Sequence, residues 1–532
     1  MSTGPELSLL TWFLSALPVF VLIVTIMGFK WSAPRAGGVS WLIAAGLALW
    51  FFGGNSTSTA IASAKGLSLA LFVLSILWAS VYMYNIVDRV GGIQSIGKAL
   101  ARIAHDPLAQ ALLIAWGLAS FIQGITGFGV PVAVATPLLM MMGFRPAKAA
   151  TMVLIGHGWA VTFGSMGSSY YTIQLVTEIP GTVIAPHMAL LFAPVTILSG
   201  FMVAQIQGGM AAVKRAAPLI LVIGFSMAFA MWAMAWIEAP QVASSVPGII
   251  ALAGVAVGLR VPFLFRPDAN SKLSAKTEGI ENSTMNPHLG FMPYYLLILF
   301  SLVVQLGAIK DLTKNISWGV DYPGFITSKG FVVNAVSDYA VIRMLYHPAP
   351  LIIFSLLISA FALAYFGYWK KSVAVEAAVL TYKQSMSTTV GVGTMVMMAL
   401  IMADTGMTTL LAEGIAKGSG PIFPLVSPFI GLLGSFMTGS NTNSNVLFGI
   451  LQVETARNLE IGAVTIASVQ SIGASVGSTM APAKVLLGAA LTGLAGREHE
   501  IMRLVVPYVL ILVGVTGIVA LILVELFPGW TK

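Results

Sequence analysis

Long apolar runs, separated by short polar segments, occupy most of the chain. They predict about twelve membrane-spanning helices, because roughly 17 to 25 apolar residues cross the hydrocarbon core of a bilayer. The predicted spans lie near residues 8–28, 37–53, 66–87, 148–166, 185–206, 216–237, 245–260, 291–307, 349–367, 387–404, 459–478 and 502–527. The pattern therefore predicts an all-α polytopic membrane protein.

Two further apolar stretches are too long for one span, yet each must return to the side that it left. They lie near residues 107–143 and 419–456, and glycines and polar side chains interrupt both. Each is interpreted as a re-entrant hairpin. Non-helical backbone survives at membrane depth only where it is buried in protein or lines a wet cavity. The two hairpin tips are therefore predicted to form a binding site.

The two hairpin tips look like copies of each other. Residues 120–129 read SFIQGITGFG and residues 435–445 read SFMTGSNTNSN, at an offset of 315 residues. The basic loops place the preceding spans in opposite orientations, which indicates two inverted-topology repeats, the plan of many secondary transporters. We expect the first repeat at residues 1–207, linking helices and a cytoplasmic loop at 208–290, and the second repeat at 291–532.

Composition agrees with a protein embedded in the lipid bilayer. Of 532 residues, 57% are hydrophobic and 9% are charged, which is far from the composition of a water-soluble domain. The 27 Lys and Arg residues are scattered singly among loops, so they indicate orientation and no nucleic-acid partner. The absence of cysteine excludes disulfides, thiolate metal sites and thiol catalysis. No cofactor and no metal are expected.

Several segments resemble the lactate permease family. They are residues 127–133 (GFGVPVA), 143–146 (GFRP), 163–167 (FGSMG), 438–440 (TGS), 444–445 (SN), 447–448 (LF) and 493–498 (GLAGRE). The similarity covers most of the chain. It implies proton-coupled uptake of small 2-hydroxy monocarboxylates, such as lactate and glycolate, across a bacterial inner membrane. The residues alone predict only a transporter of a small polar solute.

The sequence departs from the family pattern in two places. Asn441 stands where the family usually has an Asp in the second hairpin. Gly477 and Ser478 stand where it usually has a Gly-Lys pair, and a lysine appears instead at Lys484. Loss of the carboxylate removes one candidate proton carrier, and the moved cation alters where an anionic substrate docks.

A site for a small carboxylate needs hydrogen-bond donors without a large fixed charge, such as hydroxyls, amides and backbone N–H groups at helix starts. In the first hairpin, Gly124, Gly127 and Gly129 let the backbone approach a ligand. Gln123 and Thr126 supply hydrogen bonds to it. The alternative is that these glycines only allow tight helix packing.

The second hairpin carries a very polar run inside an apolar context, which predicts a functional lining. Its candidate substrate-binding residues are Thr438, Gly439, Ser440, Asn441, Thr442, Asn443, Ser444 and Asn445. Ser165, Tyr170 and Lys484 complete the predicted substrate site. The alternative for Tyr170 is an interfacial position, and for Lys484 it is snorkelling to the cytoplasmic interface.

His157 lies inside the predicted span 148–166, between Gly156 and Gly158. It is the candidate for proton coupling, because an imidazole can relay a proton near neutral pH. The alternative is a neutral histidine whose ring is satisfied by one backbone carbonyl. Asp88 and Asp404 end matching spans of the two repeats and are interpreted as solvated helix caps.

These patterns favour a secondary active transporter. A sodium-coupled carrier of a different small organic anion is one alternative, and an anion channel is another, because glycine-rich re-entrant loops also build filters. Gly167, Ser168 and Ser169 near His157 suggest a serine hydrolase, but no nucleophile elbow or base within reach is indicated. No enzyme is therefore expected, and the oligomeric state stays open.

Overall fold

The computed structural model describes residues 5–127, 129–266, 285–304, 306, 309, 316–495 and 497–527. The helices up to residue 303 are α1 (Leu9–Met27), α2 (Ala33–Trp50), α3 (Ser56–Arg89), α4 (Gly92–Ala101), α5 (Pro107–Ala111), α6 (Ala119–Ile125), α7 (Val130–Met141), α8 (Pro146–His157), α9 (Gly164–Thr177), α10 (Gly181–Trp236), α11 (Ser245–Gly258) and α12 (Pro287–Val303). Those after residue 343 are α13 (Pro348–Tyr365), α14 (Lys371–Asp404), α15 (Met407–Ser419), α16 (Phe423–Thr438), α17 (Asn441–Asn458), α18 (Ala463–Gly477), α19 (Pro482–Leu491) and α20 (Glu498–Leu526). A π-helical segment, Leu112–Leu118, joins α5 to α6, and 3-10 turns lie at Gly158–Ala160, Pro240–Val242, Gly420–Ile422 and Ser478–Met480.

Ten helical stretches of the described chain are long and apolar enough to cross a membrane. The prediction of a mostly helical, multi-span protein is confirmed, although about twelve spans were expected. One cause of the difference is α10, which runs for 56 residues and contains two of the predicted spans. Gly208 and Gly209 leave helical geometry in its middle, so two helices meet there without a loop between them.

Four short strands lie between α12 and α13, where hydropathy predicts no span. β1 (Ser317–Tyr322) pairs antiparallel with β4 (Val336–Arg343), and β2 (Phe325–Ile326) pairs antiparallel with β3 (Val332–Val333). The Tyr322 hydroxyl lies 2.6 Å from Ser68 Oγ and donates to the Ala64 carbonyl at 2.9 Å. These two contacts tie the strands to the first turns of α3.

Both predicted hairpins are broken where the sequence places their tips. The first is interrupted between α6 and α7, and the second between α16 and α17. All residues from Pro107 to Ile125 are buried, so this stretch is enclosed by protein. Enclosure of that kind is what non-helical backbone requires at membrane depth. The re-entrant path of the hairpins stays a prediction.

Two pairs of helices have equal lengths at one constant spacing along the chain. α2 and α13 each have 18 residues, and α3 and α14 each have 34. Within each pair, both ends are separated by the same 315 residues that relate the hairpin tips. This spacing supports the proposed repeat, while its inverted orientation and the domain bounds stay predictions.

A buried ion pair joins α3 to α14. Lys65 Nζ lies 2.9 Å from Asp404 Oδ2 and 3.2 Å from Oδ1, and the two residues are only 5% and 8% exposed. The ammonium also lies 5.5 Å from the centre of the Tyr339 ring on β4. The interpretation of Asp404 as a solvated cap is therefore wrong. Its partner lies in a distant part of the chain, which local sequence patterns do not indicate.

We predict that Lys65→Met lowers the free energy of unfolding by about 3–5 kcal/mol, because it leaves a buried carboxylate without its counter-ion. The melting temperature of the protein purified in detergent measures the loss. The double variant Lys65→Met with Asp404→Leu removes both charges and should recover most of the stability. A double variant that melts as low as the single one contradicts this account.

Candidate functional site

The breaks between helices surround a polar cavity of about 280 Å³. Its lining comes from the two hairpin tips, from the segment between α8 and α9, from the first turns of α9, from α19 and from α2 and α14. The lining residues are Ala33, Gln123, Gly127, Gly129, Val161, Ser165, Ser168, Ser169, Ser387, Thr388, Thr438, Gly439, Ser440, Asn441, Thr442, Asn443, Ala483, Lys484 and Leu487. Residues of both hairpins therefore meet at one site.

The first hairpin brings its backbone close to this cavity. Gly129 has a φ of 81°, a left-handed conformation that glycine adopts without strain, and α7 begins at the next residue. A Cβ atom on Gly127 would lie 2.4 Å from Ser165 Oγ, so the absence of a side chain lets the hairpin approach α9. Gln123 completes this wall, and its Oε1 atom has no hydrogen-bond partner among the described residues.

The chain turns sharply where α9 begins. Ser165, Met166 and Gly167 have φ angles of 49°, 55° and 77°. For the two non-glycine residues this left-handed geometry costs on the order of 1–3 kcal/mol each, and such strain is concentrated at functional sites. Ser168 and Ser169 follow the turn and line the cavity. Ser169 thereby comes to face the second hairpin.

The second hairpin uses part of its polar run to cap its own break. Thr438 Oγ1 donates to the carbonyl one turn earlier, at 2.8 Å, and accepts the Ser440 N–H at 3.3 Å. Ser440 Oγ accepts the Asn443 N–H at the start of α17. Thr442 Oγ1 lies 2.9 Å from Ser169 Oγ, which joins α17 to α9. These bonds hold the tip in one shape.

Three amides of the second hairpin keep an oxygen without a partner in the described chain, namely Asn441 and Asn443, which line the cavity, and Asn445, which does not. Asn441 donates its Nδ2 proton to Thr162 Oγ1 at 2.8 Å. Its Oδ1 atom, like that of Asn443, is buried without a hydrogen-bond partner in the described part of the chain. Because a buried polar group without a partner is costly, these oxygens indicate that a polar ligand or a cation belongs here.

Lys484 is the one charged side chain among the described lining residues. It lies in the first turn of α19, is 8% exposed, and donates from Nζ to Ser478 Oγ at 2.9 Å. Every ion pair found in the described chain involves other residues. A snorkelling lysine keeps its charged end in water, whereas this one is enclosed at the cavity wall.

The electrostatics of the cavity suit an anion. α7, α17 and α19 all begin at it, and helix N-termini present free N–H groups and partial positive charge. Lys484 adds a cation. No Asp or Glu occurs among the described lining residues. A small carboxylate would find donors here on several sides and no opposing negative charge.

Most of the predicted substrate-binding residues line the cavity. Those that do are Gln123, Gly127, Gly129, Ser165, Thr438, Gly439, Ser440, Asn441, Thr442, Asn443 and Lys484. The others lie beside it. A Cβ atom on Gly124 would lie 2.6 Å from the backbone nitrogen of Ser245, so this glycine permits close packing on α11. Thr126 is buried, with Oγ1 unpartnered in the described chain, and borders a small apolar pocket instead.

Three more predicted residues hold the elements around the cavity together. Ser444 donates to the Gly431 carbonyl at 2.8 Å, within the second hairpin. Asn445 donates to the Ser169 carbonyl at 3.0 Å and to a serine hydroxyl on α18 at 2.9 Å. Tyr170 is buried and donates weakly to a carbonyl at the start of α10, at 3.4 Å. None of the three lines the cavity.

His157 lies just outside the cavity wall. The ring is fully buried at the end of α8, and its Nδ1 atom lies 2.5 Å from the Val153 carbonyl oxygen. Nδ1 is thus satisfied by a backbone carbonyl, as expected for a neutral, structural histidine. Nε2 has no hydrogen-bond partner in the described chain.

Four polar residues of the lining were not in the predicted substrate site: Ser168 and Ser169, which the sequence analysis considered only for a hydrolase, and Ser387 and Thr388. Ser387 and Thr388 lie in the middle of α14, where residues 385–389 read SMSTT just before the apolar second half of the helix. That cluster of hydroxyls within a long helix is the signal that could have found them. The predicted span begins at residue 387, so these two residues were interpreted as the polar boundary of that span.

Comparisons with known proteins identify related permeases. The profile of the family described as L-lactate permease matches residues 11–527. Glycolate permease GlcA of Escherichia coli (strain K12) is 26% identical, over 96% of this chain and 95% of that protein. The L-lactate permease of Salmonella typhi is 25% identical, over 95% and 94% of the two chains. Among solved structures, MtrF of Neisseria gonorrhoeae aligns with a TM-score of 0.48 and 13% identity over 97% of both chains.

The cap of the second hairpin yields a test. Gly439 has a φ of 75°, and an added Cβ atom would meet nothing closer than 3.9 Å. Gly439→Ala should therefore destabilise the protein through backbone strain alone, by roughly 1–2 kcal/mol. Thermal melting of the purified protein measures this. Gly439→Asn is the matched control, because asparagine tolerates left-handed geometry, and equal melting temperatures for the two variants would contradict the assignment.

Proposed function

The chain belongs to the L-lactate permease family, as its motifs predicted, and we propose that it takes up a small 2-hydroxy monocarboxylate such as lactate or glycolate. It is a multi-pass bacterial membrane protein and a transporter, not an enzyme. The observation that carries the substrate proposal is the cavity itself. Its wall combines one cation, several hydroxyls and amides, and three helix N-termini, with no carboxylate among the described lining residues.

The chemistry of a 2-hydroxy acid matches the two sides of this cavity. Lys484 and the first N–H groups of α17 can receive the carboxylate. Ser168, Ser169 and Thr442 offer hydroxyls that can exchange hydrogen bonds with the substrate's own hydroxyl group. The glycolate permease and the L-lactate permeases to which the chain is similar are named for two such acids.

Uptake is proposed to be coupled to protons, on the family resemblance. His157 is the proton carrier that the sequence suggests, and the enclosed Lys484 of the cavity wall is the other candidate. The unpartnered Nε2 atom of His157 supports a titrating role. Sodium coupling is the second candidate. It is favoured by the unpaired amide oxygens of Asn441 and Asn443, because hard cations prefer oxygen ligands. A carrier is preferred over a channel, because the equal spacing of helix pairs supports an internal repeat.

The decisive experiment is uptake of labelled lactate and glycolate into proteoliposomes that contain the purified protein. A pH gradient, acid outside, should drive saturable accumulation in the absence of sodium. A sodium gradient at equal pH should not. Accumulation driven only by sodium would replace the proton proposal, flux that does not saturate would favour a channel, and no uptake of either acid would contradict the substrate class.

A further inference from the structure

Lys484 differs from the other buried lysine of the described chain in having no counter-charge. Lys65 is paired with Asp404. Lys484 is as deeply enclosed, yet its one hydrogen-bond partner in the described chain is the neutral hydroxyl of Ser478. Lys484 lines the cavity in which the proposed substrate would bind.

The elements packed against α19 do not neutralise this cation. α7 and the 3-10 turn before α19 contain no titratable residue. The titratable residues of the other two neighbouring helices are Lys148 and His157 on α8 and Glu498, His499, Glu500, Arg503, Tyr508 and Glu525 on α20. Of these, His157 interacts electrostatically with Lys484, and none of the carboxylates forms an ion pair with it.

A buried ammonium group without a counter-ion is costly, and the cost falls when a carboxylate is placed beside it. The bound substrate would supply that carboxylate. The proton on Lys484 and the anion in the cavity therefore stabilise each other, so that each binds more tightly in the presence of the other.

We propose that Lys484 carries the coupling proton, as a neutral amine in the empty carrier and as an ammonium group paired with the substrate carboxylate in the loaded one. The inference rests on the proposed proton-coupled uptake of a monocarboxylate. One proton enters the amine as one anion binds, and both leave together on the other side. The loaded and empty sites then carry the same net charge, and transport moves no net charge.

Two substitutions separate a proton carrier from a fixed binding cation. Lys484→Arg keeps the positive charge but cannot release a proton in proteins. Lys484→Met removes the charge and keeps the length of the side chain. Lys417→Arg is the matched control for the change of chemistry, because Lys417 is exposed and pairs with Glu413 on the surface of α15. His157→Gln tests the competing carrier.

The first measurement is proton uptake on binding. Lactate is added to the detergent-purified protein in weak buffer containing a pH indicator. The wild-type protein and Lys417→Arg should each take up about one proton per bound lactate, whereas Lys484→Arg should bind lactate and take up none. Loss of proton uptake in His157→Gln, with uptake kept in Lys484→Arg, would assign the proton to the histidine. Lys484→Met should bind lactate weakly.

The second measurement is transport into proteoliposomes. One pH unit supports about a tenfold accumulation per coupled proton, which the wild-type protein and the Lys417→Arg control should approach. Lys484→Arg should lose that accumulation, because its empty binding site would have to return across the membrane with an unpaired positive charge. It should keep the exchange of labelled for unlabelled lactate, because exchange uses only the loaded form of the carrier. Lys484→Met should lose both activities.

The outcomes are distinguishable. Failure of the wild-type protein to accumulate lactate with a pH gradient contradicts the proposed function. If the wild-type protein accumulates lactate and Lys484→Arg does so equally well, or takes up a proton on binding, the assignment to Lys484 is wrong. Loss of accumulation with preserved exchange in His157→Gln alone would assign the proton to the histidine.

Discussion

The need to satisfy backbone polar groups away from water governs this structure. Lipid offers no hydrogen bonds, so a helix interrupted at membrane depth must be enclosed by protein that supplies them. At the break after α8, side chains from distant segments supply these hydrogen bonds: Ser120 donates to the Gly156 carbonyl and Ser475 to the Gly158 carbonyl. The interrupted helices are thereby held against one another, and the cavity lies between them.

The same requirement divides the polar residues of the hairpins into two groups. Ser444 and Gln470 bond each other inside the protein, where Gln470 also contacts Gln452, and these side chains stabilise the second hairpin without reaching the cavity. Asn441 and Asn443 reach it and keep an unpaired oxygen. Polarity at membrane depth therefore does not by itself identify a binding residue, because capping the broken helices uses the same hydroxyls and amides.

This division explains how much the sequence could predict. Hydropathy and the repeated tips were sufficient to place most apolar helices, the two hairpin breaks and most of the cavity lining, because glycines and polar runs stand out against apolar sequence. They did not place the break between α8 and α9, which the predicted span 148–166 crosses. They could not distinguish Asn445, which joins α17 to α9, from Asn443, two residues earlier, which faces the cavity. That choice depends on how α17 is rotated against its neighbours. For the same reason the pairing of Asp404 with Lys65, 339 residues away, could not be predicted.

The two buried lysines differ in how their positive charge is balanced. Where Lys65 joins α3 to α14, the protein supplies Asp404, and breaking such a pair costs several kcal/mol. At Lys484 it supplies a serine hydroxyl, and Asn441, which lines the same cavity, is an amide where the resemblance to the lactate permease family implies a carboxylate. An aspartate at position 441 would compete with an anionic substrate for the cation and repel it from the cavity. With the amide, the missing negative charge is left for the substrate to provide, so the departure from the family pattern and the unpaired lysine have one physical explanation.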